Sequence, residues 1–188
     1  MSSRRLFVAI DLPEVVRCEL AALAAPVPGL AWTRPEQLHL TLRFLGDTAE
    51  ELIPAIATTL ATVAVEPFVL PVSGMGVFPL RGLPRVLWVG LGRAHTRLFQ
   101  LRQQVDDALL RVDMNIEMRS FQPHITLGRI RTKPPLDKPA RNKLDDFLRR
   151  NNTFEAPPFR VSDFHLYSSD LRSTGAVHTV LHTFPLHA

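Results

Sequence analysis

Two stretches of the chain, His-Leu-Thr-Leu at residues 39–42 and His-Ile-Thr-Leu at residues 124–127, share one pattern and decide the fold. Successive side chains of a strand point to opposite faces of a sheet, so residues two apart share a face. In each stretch, histidine and threonine then lie on one face, and the branched apolar residues lie on the other. The pattern predicts two strands, each with an apolar face for a core and a His/Thr face directed toward an open space.

The elements that flank the two motifs also occur twice in the same order: strand, helix, motif strand, helix, strand. In the first half we predict strands at 6–10, 38–45 and 68–78, and helices at 13–25 and 48–63. In the second half we predict strands at 85–91, 124–130, 159–167 and 177–184, and helices at 98–112 and 138–150. The repetition predicts an α+β fold: one bilobal domain over residues 1–188, with approximate halves 1–84 and 85–188 and antiparallel sheets facing a central cleft.

The start of the second helix is marked by two signals that conflict. Thr48 and Glu51 have the spacing of a capping box, which would open the helix at Thr48. Pro54 lacks a backbone N–H and is disfavoured in the interior of a helix. We therefore expect either a kink at Pro54 or a late start of the helix.

Composition and charge indicate an ordinary globular protein. Of the 188 residues, 46% are hydrophobic and 21% are charged, and the formal net charge is +4. The positive excess suits an anionic partner such as RNA or a phosphate ester, although a mildly basic surface explains it equally well. Cys18 is the only cysteine, which excludes a disulfide framework and a thiolate metal cluster.

The longest apolar run near the N-terminus covers only residues 6–10. It is too short for the core of a signal peptide, and no stretch is long enough to span a bilayer. We expect a cytoplasmic protein that does not bind membranes. We also expect a monomer, although the sequence does not determine the oligomeric state.

The repeated His/Thr face offers the groups that phosphodiester chemistry needs without a metal. A neutral imidazole can accept a proton from an attacking water, and an imidazolium can donate one to a leaving oxygen. Both forms are accessible because the ordinary pKa of histidine is about 6.5. The hydroxyls of Thr41 and Thr126 can donate hydrogen bonds to nonbridging phosphate oxygens. One such motif alone is usually an ordinary piece of strand, but two at matched places predict a shared site with His39 and His124 as its catalytic pair.

At these motifs the chain resembles the two-histidine phosphoesterases, and among them the RNA 2′,3′-cyclic phosphodiesterases once called 2′-5′ RNA ligases. The resemblance covers nearly the whole chain and includes the segments 5–13, 38–46 and 123–129. It implies a bilobal fold, no cofactor, and an RNA or nucleotide partner whose cyclic phosphate end is opened to a 2′-phosphate. By the same resemblance, His39 is the proton donor and His124 the proton acceptor. The residue pattern alone does not assign these roles.

Two arginines near the motifs are further candidates. Arg129 matches an arginine that similar proteins have just after the second motif, where it would bind phosphate or RNA. Strict alternation puts Arg129 on the opposite face from Thr126, so it reaches the site only if the strand ends or bulges near Gly128. Its alternative is a surface position without a role in binding. Strict alternation puts Arg43 on the same face as His39 and Thr41, although the resemblance gives less support for a binding role of Arg43 than of Arg129.

Three other interpretations remain open. A metal site is suggested by His178 and His182, four residues apart, with His165 and His187 nearby, but this stretch reads as a strand without an acidic or cysteine ligand. A module that binds RNA ends without cleaving them would explain the basic charge, but phosphate binding alone is usually served by arginine and lysine. Joining of RNA ends through a 2′-5′ linkage is the reverse reaction and needs the same groups, so the sequence does not separate it from hydrolysis.

Overall fold

The structure, a computed structural model, describes residues 2–93, 96–114, 120–130, 136–172 and 175–188. Within these ranges the strands are β1 (Ser3–Asp11), β2 (Leu30–Trp32), β3 (His39–Ala49), β4 (Phe68–Ser73), β5 (Met75–Phe78), β6 (Val86–Val89), β7 (Ile125–Ile130), β8 (Glu155–Val161), β9 (Asp163–Arg172) and β10 (Gly175–Pro185). The helices are α1 (Glu14–Ala22), α2 (Ile53–Leu60), α3 (Thr96–Leu110) and α4 (Lys138–Arg150), with short 3₁₀ turns at Pro35–Gln37 and Glu50–Leu52. None of the described helices is long and apolar enough to cross a membrane.

One antiparallel sheet of eight strands lies at the centre of the described structure. Its order is β10-β9-β1-β3-β7-β6-β5, with β2 also paired to β7, while β4 and β8 form a separate pair. The two motif strands, β3 and β7, are neighbours in the middle of the sheet, where Leu40 is paired with Ile125. This antiparallel register places the histidine of each motif across from the threonine of the other.

The strands of the two chain halves are exchanged within this sheet. β9 and β10, from the second half, extend the sheet beyond β1 on the side of His39. β5, from the first half, pairs with β6 on the side of His124, and β2 pairs with β7. The predicted α+β class with antiparallel sheets is confirmed, and each side of the sheet is assembled from both halves of the chain.

One face of the sheet packs against the helices and forms the main core. Its strand residues alternate and are at most 2% exposed: Leu6, Val8 and Ile10 of β1, Leu40 and Leu42 of β3, and Ile125 and Leu127 of β7. Complete burial of one such side chain stabilises the folded state by about 1.5–3 kcal/mol. The apolar residues of each motif therefore hold its strand in the core, and the histidine and threonine are not needed for core packing.

The first motif strand is longer than predicted, and the second helix starts later. Gly46, with a φ of 72°, does not stop the strand, and β3 continues to Ala49. Thr48 is a buried strand residue and not a helix cap, so the capping-box prediction was wrong. α2 begins at Ile53 with Pro54 in its first turn, where a missing N–H costs nothing, so the late start is confirmed.

Two predicted strands are divided, and one strand was missed. The strand predicted at 68–78 is split into β4 and β5 at Gly74, whose φ of 79° favours glycine. The strand predicted at 159–167 is split into β8 and β9, which belong to different sheets. β2 has only three residues, too few for a periodic signal, and its partner in β7 is almost a hundred positions away.

Candidate active site

The two motifs meet on the face of the sheet that is opposite to the main core. His39, Thr41, His124 and Thr126 are half-buried there, while the apolar residues between them are buried on the other side. The ring of His39 lies 5.0 Å from that of Phe7, which belongs to the small cluster on this face. We call this side of the sheet the histidine face. The structure thus brings the four predicted motif residues together on neighbouring strands.

The two imidazole rings are held by the same local contact. Nδ1 of His39 lies 2.7 Å from the carbonyl oxygen of Gln37, and Nδ1 of His124 lies 2.7 Å from that of Gln122. A carbonyl oxygen only accepts hydrogen bonds, so each Nδ1 must carry the proton and donate it. In the neutral ring Nε2 then has the free lone pair and can accept a proton. In the imidazolium form Nε2 carries a proton that it can donate.

Burial lowers the pKa of His39 from 6.5 to about 4. The carbonyl of Gln37 acts in the opposite direction, since it accepts a hydrogen bond from the ring. Nearby His178 and the positive charge of Arg129 lower this pKa further, while the carboxylate of Asp11 raises it. In the absence of a ligand, His39 is therefore neutral at pH 7.

Burial also lowers the pKa of His124, and Arg129 adds to the effect. The carbonyl of Gln122 partly offsets both causes. The charge of Arg129 thus acts on both motif histidines. A bound phosphate would reverse this influence, because its negative charge favours the protonated form of both rings.

Arg129 reaches the histidine face through a bulge in β7. Leu87 of β6 is opposite Gly128, but the next residue, Trp88, is opposite Thr126, so β7 has one extra residue between them. A bulge of this kind shifts the alternation by one position, which puts Arg129 on the same face as Thr126. This is the irregularity near Gly128 that the sequence pattern required of a binding arginine.

A matching bulge in β3 has the opposite effect on Arg43. Ala9 of β1 is opposite Thr41 and Val8 is opposite Arg43, so β3 also has one extra residue after its motif. Arg43 is consequently turned to the core side, where it is 9% exposed. Its Nε and Nη2 donate to the two carboxylate oxygens of Asp106 in α3 at 2.7 and 2.6 Å. The expected alignment of Arg43 with the first motif was wrong, because strict alternation ends at the bulge.

Phe44 takes the place in the first half that Arg129 takes in the second, one residue after the bulge. Its side chain is 63% exposed, and its ring lies 6.1 Å from that of Phe7. The two sides of the histidine face therefore differ in chemistry. One ends in an aromatic ring and the other in a guanidinium, although the backbone pattern of the two strands is the same.

A third histidine lies beside His39, and the sequence pattern did not predict it there. The ring of His178 is 5.4 Å from that of His39 and 4.9 Å from that of Phe7, edge-on in both cases. β10 is brought to this position by its pairing with β9, which pairs with β1, and the Gln37 side chain donates a hydrogen bond to the carbonyl of Ala176. Only the tertiary structure brings the end of the chain to its first motif.

Asp11 and Tyr167 form the other contact that sequence reasoning missed. Asp11 is paired with His39 across β1 and β3, and the Tyr167 hydroxyl donates a hydrogen bond to its carboxylate. The Tyr167 ring is stacked on Phe7 at 5.0 Å. Burial and this carboxylate raise the pKa of the Tyr167 phenol, so it stays protonated as a donor. The result is a fixed negative charge near His39.

The remaining histidines of the C-terminal strands have different side-chain neighbours. His182 is stacked on Phe184, while Nε2 of His165 lies 3.0 Å from Asp163 and 3.8 Å from Asp11. His165 therefore has two acidic neighbours, Asp163 from two residues earlier in the sequence and Asp11 from the distant β1, so the expectation that no acidic residue accompanies these histidines was wrong for His165. In the part of the chain that the structure describes, no group of three or more His, Cys, Asp or Glu residues could hold a metal ion.

The family described as LigT like Phosphoesterase matches this chain at residues 10–88 and 91–178. The two matched segments contain one His-x-Thr motif each and together cover most of the chain. The chain belongs to the LigT-like phosphoesterase family.

Curated relatives extend over nearly the whole chain. The RNA 2′,3′-cyclic phosphodiesterase of Archaeoglobus fulgidus is 31% identical over 183 residues, which cover 96% of this chain and 99% of that protein. The protein of the same name from Thermus thermophilus is 36% identical over 193 residues, which cover 97% of this chain and 90% of that protein. Full-length similarity of this kind includes both motifs and the strands between them.

Solved structures have the same fold. A crystal structure from Thermus thermophilus is 30% identical with a TM-score of 0.79 and covers 98% of both chains. The crystal structure of E. coli LigT complexed with 3′-AMP is 25% identical with a TM-score of 0.78 and covers all of both chains. That neighbour binds a nucleotide, as its complex demonstrates.

Proposed function

We propose that this protein hydrolyses 2′,3′-cyclic phosphate ends of RNA to 2′-phosphate ends, without a metal, by acid–base catalysis with His39 and His124. The observation that supports this best is the matched presentation of the two rings. Each has Nδ1 bonded to a carbonyl at 2.7 Å and therefore has Nε2 available on the histidine face. The curated relatives are named RNA 2′,3′-cyclic phosphodiesterase, which supports the substrate class.

The cyclic phosphate would lie between the two motifs and near Arg129. The guanidinium can offset the charge of the nonbridging oxygens, and the hydroxyls of Thr41 and Thr126 can donate hydrogen bonds to them. Each threonine lies across from the other motif's histidine in the register of the central pair. A phosphorus atom placed there has one imidazole on each side, as an in-line displacement requires.

In the proposed reaction, the oxygen of a water molecule attacks phosphorus while the bond from phosphorus to the 3′-oxygen breaks. His124 accepts a proton from the water at Nε2, and His39 donates a proton from Nε2 to the departing 3′-oxygen. The products are a 2′-phosphate and a free 3′-hydroxyl. No electrons are exchanged, and no group beyond the protein, the water and the substrate is needed.

The acid must be protonated before it can act, although His39 is neutral at pH 7 without a ligand. Substrate binding resolves this, since a phosphate anion beside the ring favours the imidazolium and offsets the charge of Arg129. Asp11, held by Tyr167, already favours the same state. We therefore propose that the acid is charged in the complex and not in the free enzyme.

Joining of RNA ends through a 2′-5′ linkage is the second function that we propose for these groups, because a 5′-hydroxyl can take the place of the attacking water. The alternative of a module that only binds RNA ends is less well supported. Such a module has no need for two rings with the same fixed tautomer.

The test is incubation of the protein with a short RNA that ends in a 2′,3′-cyclic phosphate, in the presence of EDTA, followed by identification of the terminus. We expect a 2′-phosphate, formed at the same rate before and after chelation. A 3′-phosphate product, or activity that is lost in EDTA and restored by zinc or manganese, would contradict the proposal. Binding without turnover would favour the binding module.

A further inference from the structure

A cavity of about 660 Å³ opens directly beside His124. Pockets of roughly 300–1,000 Å³ are typical of sites for small organic ligands. The walls are mostly apolar and rich in aromatic rings, and the residues that the inference uses are Phe78, Trp88, Phe99, Phe121 and His124. We call this space the aromatic pocket.

One wall of the aromatic pocket is built on the strand pair β5 and β6. Trp88, the residue opposite Thr126, lies flat over Gly76, where a Cβ atom would come within 2.4 Å of the indole ring. Phe78 is tilted on Trp88 at 5.1 Å and meets the ring of His124 edge-on at 4.9 Å. This wall is therefore fixed in place and continuous with the catalytic imidazole.

Phe99, near the start of α3, and Phe121, which precedes β7, also line the aromatic pocket. Their rings meet edge-on at 5.8 Å, and Phe99 is 45% exposed. Several aromatic rings along one pocket suit a flat, polarisable ligand, and nucleic acid bases stack on such rings. The net positive charge of the chain is compatible with an RNA ligand.

The described surroundings of His39, on the other side of the histidine face, differ from those of His124. The position that corresponds to Trp88 in the first half is Ala9, which is completely buried. Around His39, the space is occupied by the rings of Phe7, Tyr167 and His178. The fold therefore provides an open aromatic pocket next to His124 and a closed aromatic cluster next to His39.

From this arrangement we infer that the aromatic pocket binds the nucleoside that carries the 5′-hydroxyl when RNA ends are joined through a 2′-5′ linkage. The inference rests on the proposed function, in which His124 accepts the proton of the attacking group. Attacking and leaving oxygens lie on opposite sides of phosphorus. A nucleoside whose 5′-oxygen attacks from the side of His124 has its base where the pocket is.

The step balances without a further reactant. The 5′-oxygen forms a bond to phosphorus, the bond to the 3′-oxygen breaks, His124 takes the proton of the 5′-hydroxyl, and His39 supplies one to the 3′-oxygen. In the reverse direction, the 3′-hydroxyl of a 2′-5′-linked dinucleotide attacks phosphorus, a cyclic phosphate forms, and a nucleoside with a free 5′-hydroxyl leaves. Hydrolysis of a cyclic mononucleotide uses water and leaves the pocket empty.

The experiment compares two substrates in the Phe99→Ala variant: adenosine 2′,3′-cyclic phosphate and the dinucleotide adenylyl-(2′-5′)-adenosine. We expect kcat/KM for dinucleotide cleavage to fall roughly tenfold, the effect of losing one base–aromatic stack. Hydrolysis of the cyclic mononucleotide should stay within about twofold of wild type. Leu110→Ala is the matched control, since Leu110 lies in the same helix, is 54% exposed and does not line the pocket. It should leave both rates unchanged.

The outcomes separate the inference from the proposed function. If both rates fall together, the pocket holds the terminal nucleoside itself or supports the fold, and the inference is wrong. If the wild type hydrolyses the cyclic substrate but does not cleave the dinucleotide, or if Phe99→Ala cleaves it normally, the inference fails while the proposed function stands. Tryptophan fluorescence gives a readout that does not depend on activity, because Trp88 lines the pocket. Adenosine should quench the fluorescence of the wild type, and we expect weaker quenching in Phe99→Ala.

Discussion

Leu40 and Ile125 face each other across the two central strands, and this pair joins the His39 side of the sheet to the His124 side. Both side chains are completely buried in the main core. The contact that positions the two imidazoles is thus the same contact that connects the two sides of the fold. Stability and catalytic geometry are coupled at this point.

Replacing Ile125 with alanine should destabilise the protein by about 2–5 kcal/mol, the usual effect of truncating a buried aliphatic side chain. Urea unfolding monitored by fluorescence would measure the change. Leu110→Ala, at a half-exposed site, should lower the free energy of unfolding far less. An effect of Ile125→Ala as small as that of the control would mean that the central pair contributes little to the core.

His39→Ala and His124→Ala should each reduce turnover of an RNA cyclic phosphate by roughly 10²- to 10⁴-fold, the usual contribution of one general acid or base. Folding should be preserved, because both side chains lie on the histidine face and not in the core. His182→Ala is the control, since this histidine is exposed and lies against Phe184. Near-normal turnover in either motif variant, or loss of the folded state, would contradict the assignment.

A substrate with a good leaving group should separate the two roles. If the departing 3′-oxygen is replaced by nitrophenolate, protonation of the leaving group is no longer required. His39→Ala should then regain much of its lost rate, while His124→Ala should remain slow. The opposite pattern would exchange the two roles, and recovery of neither would argue against an acid–base pair.

The buried His39 should make the protein less stable in mild acid. Its pKa is about 4 when folded and about 6.5 when unfolded, so below pH 6.5 the unfolded chain binds a proton that the folded protein does not. Stability is therefore lost as the pH falls from 6.5 toward 4, by up to about 3 kcal/mol from this one group. His39→Gln should lose less stability than the wild type between pH 7 and pH 4.5 in urea titrations. Equal losses would mean that the ring is not desolvated in solution.

Arg129→Ala should weaken catalysis in two measurable ways. Loss of charged hydrogen bonds to phosphate should lower kcat/KM roughly 10- to 100-fold. Because Arg129 lowers the pKa of both motif histidines, its removal should also move the limbs of the pH–rate profile to higher pH. Arg129→Lys, which keeps the positive charge, should show a smaller loss of kcat/KM and a smaller shift of the profile than Arg129→Ala. Arg141→Ala, on the surface of α4, should show neither change. A lower kcat/KM with an unshifted profile would indicate that Arg129 does not act on the rings.

The sequence predicted the local part of the site well, because alternation alone decides which side chains share a face. It placed each histidine with its threonine and the apolar residues behind them. The prediction from alternation was wrong for Arg43. A bulge depends on how two strands pair, and the sequence of one strand does not reveal it. The matching bulge in β7 puts Arg129 on the histidine face, which the alternation pattern allowed only as an exception.

The long-range part of the site was beyond such reasoning. His178 reaches His39 because β9 pairs with β1 across more than 150 positions of the chain and β10 pairs in turn with β9. The partnership of Tyr167 with Asp11 has the same origin. Periodicity describes neighbours in the sequence, whereas these contacts depend on the order of strands in the sheet.

The exchange of strands gives the single chain the architecture of a domain-swapped dimer. In such dimers each subunit completes the sheet of the other, and the site lies on the two-fold axis between them. A polypeptide with one His-x-Thr strand and one donated edge would form one such site when two copies pair. In this chain the two sides differ: one has Arg129 and the open aromatic pocket, and the other holds the rings of Phe7, Tyr167 and His178. The present chain is thus best understood as a heterodimer that has become covalent, and a fragment ending near residue 84 would lack the strands that complete its sheet.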